Sequence, residues 1–316
     1  MHPAYASAPR RWLYALKPGS WPKVLAPALL GHVLGYMAAE TWSLEAAAIG
    51  LTFAACATAY VVLLNDWFDA DVDALKRAMF PHAGSPKTIP DAVLPAQSVL
   101  LAGCGAGVVA LGAAMLAEAR LPCPGAAAAA ALGLGLLLLY SAPPLRLNDR
   151  GGGEVVEMIG VGLFVPWWSA YVQGGALWSE WYTWALPGLM ALAFASAVAS
   201  GLSDEESDRR GGKVTLTTSF GNRSARAVVE YAALAGVLAW VLAGRLSGGA
   251  FPLLAAQAAL LVSAWPWRRL MLESPRAATG CFEAQARYKS ALHAMIWGTT
   301  MALGLALLAL RWLGWA

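Results

Sequence analysis

Charged residues are scarce in this chain of 316 residues: 13% are Asp, Glu, Lys or Arg, whereas 59% are hydrophobic. Soluble domains carry about 25% charged residues, so the composition excludes an ordinary water-soluble enzyme and a disordered chain. The formal net charge of +3 is too small to indicate nucleic-acid binding. We therefore expect no nucleic-acid partner.

Cysteine is also rare. The four cysteines, Cys56, Cys104, Cys123 and Cys281, form no C-x-x-C pair and have no metal-ligand spacing. We interpret them as small apolar residues rather than as disulfides or metal ligands.

The apolar residues come in long runs. A helix needs about 20 apolar residues to cross the ~30 Å core of a bilayer, and these runs show no alternation that would indicate a β-barrel. The predicted fold class is all-α: a polytopic membrane protein with about nine transmembrane helices in one bundle, forming a single domain over residues 1–316. The predicted spans are 21–39, 44–64, 97–117, 123–140, 155–173, 181–201, 227–246, 251–267 and 291–312.

The basic residues are sorted between alternate loops. With nine spans, all of the 22 lysines and arginines except Arg120, Arg245 and Arg311 fall on the side of the N-terminus. The positive-inside rule then places the N-terminus in the cytoplasm and the C-terminus on the opposite side of the membrane. The clustered acidic residues lie on the same cytoplasmic side.

A first acidic cluster follows the second predicted span. Asp66, Asp69 and Asp73 are spaced three and four residues apart, which places their carboxylates on one face of a helix. Such a stripe at the membrane edge is costly unless a cation neutralises it. The three carboxylates offer the oxygen ligands that Mg2+ prefers. Asp71 falls off this face, and we interpret it as solvated.

A second cluster follows the sixth predicted span. Asp204 and Asp208 lie one helical turn apart, and Arg209 and Lys213 come directly after them. Cations beside carboxylates can bind the oxygens of a diphosphate that the metal leaves free. Because each cluster follows a span, the chain is predicted to consist of two pseudo-repeated halves, each with one aspartate motif.

These segments resemble a known family. The pattern Asn65-Asp66-x-x-Asp69-x-x-x-Asp73 resembles the first aspartate motif of the UbiA superfamily of intramembrane prenyltransferases, and Asp204-x-x-x-Asp208 resembles its second. Residues 17–21 are similar to the start of that family's first helix. Residues 140–147 and 212–221 are most similar to the MenA-like branch, which prenylates dihydroxynaphthoate.

The resemblance implies a bundle around a central cavity and a Mg2+-dependent transfer of an isoprenyl group from its diphosphate to an aromatic quinone precursor. It implies two Mg2+ ions, one per aspartate cluster, and an allylic cation in an aromatic-lined pocket. The implied metal ligands are Asn65, Asp66, Asp69 and Asp73 for one ion and Asp204 and Asp208 for the other. The implied catalytic residues are Asp66, Asp69, Asp204, Asp208 and Lys213, with Lys87, Arg146 and Arg209 as diphosphate-binding residues. The candidate pocket aromatics are Trp67, Phe68, Tyr140 and Trp168.

Two alternatives stay open at this point. The family usually has a Ser-Gly pair where this chain has Asp91-Ala92, and this departure keeps a UbiA-type terpene cyclase in consideration. A cyclase would ionise the same diphosphate and quench the cation without an acceptor. A cation transporter is disfavoured because transporters place acids near the bilayer midplane, whereas these acids lie at one rim. The sequence singles out no general base.

Overall fold

A computed structural model describes residues 3–81 and 86–315, and the described residues form a bundle of helices. Short 3-10 helices cover Pro3–Tyr5, Pro18–Ser20 and Ser274–Arg276. The helices are α1 (Ala8–Leu16), α2 (Pro22–Ala39), α3 (Leu44–Phe68), α4 (Ala70–Met79), α5 (Ala96–Arg120), α6 (Ala126–Ser141), α7 (Leu147–Arg150), α8 (Gly153–Glu157), α9 (Val165–Gly174), α10 (Glu180–Gly201), α11 (Glu205–Arg210), α12 (Leu216–Leu246), α13 (Leu253–Glu273) and α14 (Phe282–Trp312).

Within the described part of the chain, six helical segments are long and apolar enough to cross a membrane: α3, α5, Gly153–Gly174, α10, α12 and α14. The all-α polytopic membrane fold is thus confirmed. The other three predicted spans correspond to α2, α6 and α13, which are also helical. Of these, α6 has 16 residues, and α2 carries Lys23 and His32. The count of nine spans stays a prediction, as do the single domain, its two repeated halves and the orientation of the termini.

Small residues allow the helices to approach closely. A Cβ on Gly31 of α2 would lie 2.3 Å from the carbonyl oxygen of Pro166 in α9, and one on Gly188 of α10 would lie 2.2 Å from the Trp240 ring of α12. Such contacts suit association in lipid, where packing rather than the hydrophobic effect brings helices together. The first and last long helices also meet, because Leu30 of α2 approaches Gly304 of α14.

A π-helical segment, Met158–Phe164, connects α8 to α9. Single π-helical turns are uncommon and are frequently found at functional sites, because the extra residue changes the direction of the side chains around it. Glu157 directly precedes this segment. The helix α12 is interrupted at Gly221, whose φ of +80° is a conformation that glycine adopts without strain.

Candidate active site

The first aspartate motif lies at the carboxyl end of α3. Asn65 and Asp66 are in its last turn, Asp69 separates α3 from α4, and Asp73 is in the first turn of α4. The residues Asp66, Asp69 and Asp73 are all buried. Asn65 donates a hydrogen bond from Nδ2 to Asp69 Oδ2 at 3.1 Å. The predicted stripe of carboxylates is therefore present and faces the interior.

Lysines neutralise this stripe. The Lys17 ammonium, which precedes α2, forms an ion pair with Asp66, and Thr88 Oγ1 donates a hydrogen bond to the other oxygen of Asp66 at 2.6 Å. Lys87 forms a buried ion pair with Asp73. Burial alone would lower the pKa of Lys87, but the carboxylates around it, with Asp204 the strongest, raise that pKa.

The second aspartate motif meets the first. Asp204 precedes α11, and Lys76 of α4 pairs with it although the two residues are 128 positions apart in the sequence. Burial would raise the pKa of Asp204, but the positive charges of Lys76 and Lys87 outweigh burial and lower it. Lys76 and Lys87 therefore join both motifs into one site.

Asp208 differs from the other acids. Its side chain is buried, and within the described residues no ammonium or guanidinium group lies at ion-pair distance from it. Burial and the neighbouring charge of Asp204 raise the pKa of Asp208 to about 7, even though Lys213 and Lys76 act in the opposite direction. The site thus holds a carboxylate that lacks full compensation by cations.

Lys213 closes the site from the loop after α11. Its Nζ lies 3.5 Å from Asp69 Oδ1 and 3.2 Å from Asp149 Oδ1. Burial alone would lower the pKa of Lys213, but the charges of Asp69 and Asp208 raise it. The structure therefore brings Lys213 together with both aspartate motifs.

The two predicted arginines lie farther out. Arg146 pairs with Asp149 at 2.8 Å and donates a hydrogen bond to the Phe68 carbonyl oxygen at 3.4 Å, so it reaches the rim of the site through Asp149. Arg209 is largely exposed and pairs with Glu205 at 3.1 Å on its own helix. The structure does not bring Arg209 to the carboxylates, because it projects from the outer face of α11.

Four residues that the structure places in the site were not predicted as site residues: Lys17, Lys76, Asn148 and Asp149. Lys76 lies three residues after Asp73 on the same helix face, and that spacing could have found it. Lys17 was noted only because residues 17–21 are similar to the start of the family's first helix. Asn148 donates to Asp69 Oδ2 at 3.3 Å and Asp149 pairs with Lys213, but no local pattern marks this stretch of the loop.

An elongated cavity of about 340 Å³ opens beside the site. Along α3 its wall runs from Asn65 to Phe53, a distance of about 18 Å at the helical rise of ~1.5 Å per residue. The polar lining residues are Lys17, Ser20, Lys23, Thr58, Asn65, Tyr140, Glu157 and Ser200, and the apolar ones include Phe53, Val61, Leu134, Leu137, Val161 and Phe164.

The cavity is aromatic, but with a different set of rings from the predicted one. Tyr140 lines it as predicted, and Phe53 and Phe164 form an edge-to-face pair in its wall with ring centroids 6.4 Å apart. Trp168 lies behind Phe53 at 4.0 Å and donates to a backbone oxygen. Trp67 packs in a separate apolar cluster with Leu63 and its neighbours.

The donor set suits a hard cation. The carboxylates of both motifs and the Asn65 amide supply only oxygen ligands, as Mg2+ prefers, and among the described residues the buried Asp208 has no cation at ion-pair distance. Among the residues that the structure describes, no three His, Cys, Asp or Glu side chains already form a metal-binding group. Lysine ammonium groups neutralise the motif carboxylates instead. A metal bound by these carboxylates would therefore displace the ammonium groups or bind beside them.

Known proteins share both the sequence pattern and the arrangement of the helices. A family model described as the UbiA prenyltransferase family matches residues 24–291. The chain belongs to the UbiA prenyltransferase family. It is 29% identical over 223 residues to the chloroplastic chlorophyll synthase of Oryza sativa subsp. japonica, a match that covers 68% of this chain and 56% of that protein. It is 26% identical over 222 residues to the chlorophyll synthase of Arabidopsis thaliana, covering 68% and 54%. The chain thus spans little more than half the length of these relatives.

Solved structures show the same fold. A UbiA homolog from Archaeoglobus fulgidus bound to GPP and Mg2+ is 18% identical, with a TM-score of 0.60 and coverage of 95% of this chain and 99% of that one. The apo structure of a UbiA homolog from Aeropyrum pernix K1 is 16% identical, with a TM-score of 0.65 and coverage of 92% and 98%. The family resemblance seen in the sequence is therefore confirmed, whereas the MenA-like branch stays a prediction.

Proposed function

We propose that this UbiA-family protein is a Mg2+-dependent intramembrane prenyltransferase. It moves an isoprenyl group from its diphosphate to an aromatic acceptor of the kind used in lipid-quinone biosynthesis. The observation that carries the proposal is the meeting of the two aspartate motifs through Lys76 at the mouth of an apolar cavity. The apolar chain of an isoprenyl diphosphate fits the cavity, and its charged diphosphate group fits the site formed by the two motifs.

The metal ligands would be the residues of the two motifs. Asn65, Asp66, Asp69 and Asp73 would hold one Mg2+ ion, and Asp204 and Asp208 a second. Bound there, Mg2+ would neutralise the charge that builds on the departing diphosphate. The structures of relatives with GPP and Mg2+ support a diphosphate and a divalent cation as ligands.

The lysines supply fixed positive charge beside the leaving group. Lys17, Lys87 and Lys213 each contact a motif carboxylate, so each can turn from that carboxylate to a diphosphate oxygen without leaving the site. Charge that is already in place before the reaction usually contributes more to transition-state stabilisation than any other single effect. Tyr140 and the pair Phe53 and Phe164 face the cavity, where ring faces favour an allylic cation.

The decisive experiment is diphosphate release by the purified protein. It would be incubated in detergent with Mg2+ and isoprenyl diphosphates of increasing length, with and without an acceptor. The acceptor panel contains an aromatic quinone precursor and chlorophyllide, because the curated relatives are chlorophyll synthases. Acceptor-dependent release and a prenylated product are expected. EDTA should abolish release, and added Mg2+ should restore it.

Variants test the site itself. Asp66→Asn and Asp204→Asn should abolish turnover in a protein that still folds, because each removes a ligand charge from one motif. Asp71→Asn is the matched control, since Asp71 is exposed on the same segment. Full activity of both motif variants would contradict the metal assignment. Release of diphosphate with a cyclic product and no acceptor would favour the cyclase, and no release with any donor would refute both.

A further inference from the structure

We propose that Glu157 is the catalytic base that takes the proton from the acceptor, and that Lys23 positions its carboxylate. This inference rests on the proposed prenyl transfer and adds a catalytic residue to it. It starts from an ion pair in the wall of the cavity, away from the two aspartate motifs.

The pair joins two helices. Lys23 is in the first turn of α2, and Glu157 is the last residue of α8, directly before the π-helical segment Met158–Phe164. Their side chains form an ion pair, and both are only about one-fifth exposed. Both also line the cavity, together with Asn65 of the first motif.

Glu157 is the only carboxylate among the described residues that line this cavity. The other acids nearby are engaged elsewhere: Asp66 and Asp73 bind lysines, and Glu154 accepts a hydrogen bond at 2.7 Å from the backbone N–H of Leu216. Carboxylates that hold a metal are poor proton acceptors, because the cation stabilises their ionised form. Glu157 pairs with a single ammonium, lines the cavity and belongs to neither metal-binding motif, so it is the carboxylate of this cavity that can accept a proton.

The pair lies close to the first aspartate motif. Lys17, which pairs with Asp66, and Lys23, which pairs with Glu157, lie six residues apart and line the same cavity. Glu157 therefore lies on the side of the cavity near the first motif, whereas Phe164 lies at the other end of the π-helical segment that follows Glu157.

A carboxylate in this position is costly for the fold. An ion pair in a membrane-embedded wall carries a desolvation penalty, and apolar residues of similar size often replace such pairs without loss of stability. Ionisable residues within membrane helices usually mark functional positions. A catalytic role explains why this wall keeps a Lys–Glu pair.

The C–O bond between the allylic carbon and the diphosphate breaks, and its electron pair leaves with the diphosphate. The nucleophilic oxygen or ring carbon of the acceptor forms a bond to the allylic carbon, and its proton passes to the Glu157 carboxylate. Lys23 keeps that carboxylate ionised until the acceptor arrives, and the proton then leaves to water at the rim.

The test separates transfer from ionisation. Each variant would be incubated with Mg2+, an isoprenyl diphosphate and the acceptor found for the wild type, and both the prenylated product and the prenyl alcohol from attack by water would be measured. Glu157→Gln should lower transfer by about 10² or more, the usual contribution of a general base. It should leave diphosphate release to water within a few fold, because the metal site is intact. Glu157→Asp should retain part of the transfer.

A charge swap excludes a purely structural role. The double variant Lys23→Glu with Glu157→Lys restores an ion pair, so thermal stability in detergent should recover relative to Glu157→Gln while transfer stays low. The control is Glu45→Gln, which breaks a 3.0 Å ion pair with Arg120 that lies outside the cavity and should leave transfer unchanged.

The outcomes are distinguishable. Transfer by Glu157→Gln at the wild-type rate, or full recovery of transfer in the charge swap, would overturn the role of Glu157 and leave prenyl transfer standing. Equal loss of transfer and of release to water in Glu157→Gln would also overturn it, because that result marks a disturbed metal site. Absence of diphosphate release from the wild type would overturn the proposed function and this inference with it.

Discussion

Replacing Asp208 by asparagine should stabilise the metal-free protein while abolishing turnover. Burial and the charge of Asp204 raise the pKa of Asp208 from its ordinary 3.8 to about 7. The folded state therefore holds this proton more tightly than the unfolded state does. Asparagine keeps the shape of the side chain and removes the charge that the site compensates poorly.

The size of this gain in stability follows from the coupling between proton binding and folding. Because the folded state binds the additional proton, stability falls as the pH rises from 3.8 to about 7, and the cost is constant above that range. Each pKa unit corresponds to 1.36 kcal/mol, so the full shift costs the metal-free wild type about 4 kcal/mol at pH 8. At pH 5 the cost is about 2 kcal/mol, because this pH lies only part of the way between the pKa of Asp208 in the unfolded state and its pKa in the folded state.

The measurement is unfolding in detergent with EDTA at pH 5 and pH 8. Asp208→Asn should be more stable than the wild type at both pH values, with about two and a half times the gain at pH 8. Saturating Mg2+ should narrow the difference, because a cation that binds only the folded wild type stabilises it by mass action. Asp71→Asn should show no such gain, because Asp71 is exposed.

Two results would refute this reasoning. If Asp208→Asn is no more stable than the wild type in EDTA at pH 8, the carboxylate is already compensated in solution. If the gain is the same at pH 5 and pH 8, its origin is packing and not charge. Either result would remove the argument that the site is short of positive charge without its metal.

Two further predictions concern the lysine at the centre of the site and the wall of the cavity. Lys76→Met should destabilise the metal-free protein by about 3 kcal/mol in chemical unfolding, because it leaves Asp204 without its partner; equal stability in EDTA would contradict this. Gly133→Val should reduce kcat/KM for long isoprenyl diphosphates by about tenfold more than for the shortest donor, because a Cβ at 133 would lie 2.1 Å from the Phe164 ring and push it into the cavity. Gly135→Val is the control, since no atom lies within 4 Å of that Cβ position, and equal effects on all donors would argue against a tail in this cavity.

Much of the fold could be predicted because the apolar runs determine it. The predicted span 44–64 lies within α3, but the helix continues to Phe68. It does so because the aspartate motif is itself helical, with the polar residues Asn65 and Asp66 facing the site. In the same way α12 begins eleven residues before the predicted span 227–246, and α14 begins nine residues before 291–312. Helical extensions beyond the bilayer are polar, so hydropathy alone cannot detect them.

The candidate site could be predicted only where its residues are local in sequence. Asp66, Asp69 and Asp73 share a helix face, and that periodicity is visible in the sequence. The partners that neutralise them are not local: Lys17 is 49 residues from Asp66, and Asn148 is 79 from Asp69. Which cation reaches which carboxylate depends on how the helices pack.

The position of Arg146 illustrates this limit. Its φ of +41° is unusual for a residue other than glycine. This geometry starts α7, and Asp149 within that helix pairs with both Arg146 and Lys213. The sequence indicated that Arg146 lies near the site, but a basic residue in a loop does not reveal the acid that will hold it. Asp149 and the Phe68 carbonyl oxygen hold the Arg146 guanidinium at the rim of the site, and Arg146 contacts no carboxylate of either motif. Lys213, which contacts Asp69 directly, is therefore the better placed cation of the two.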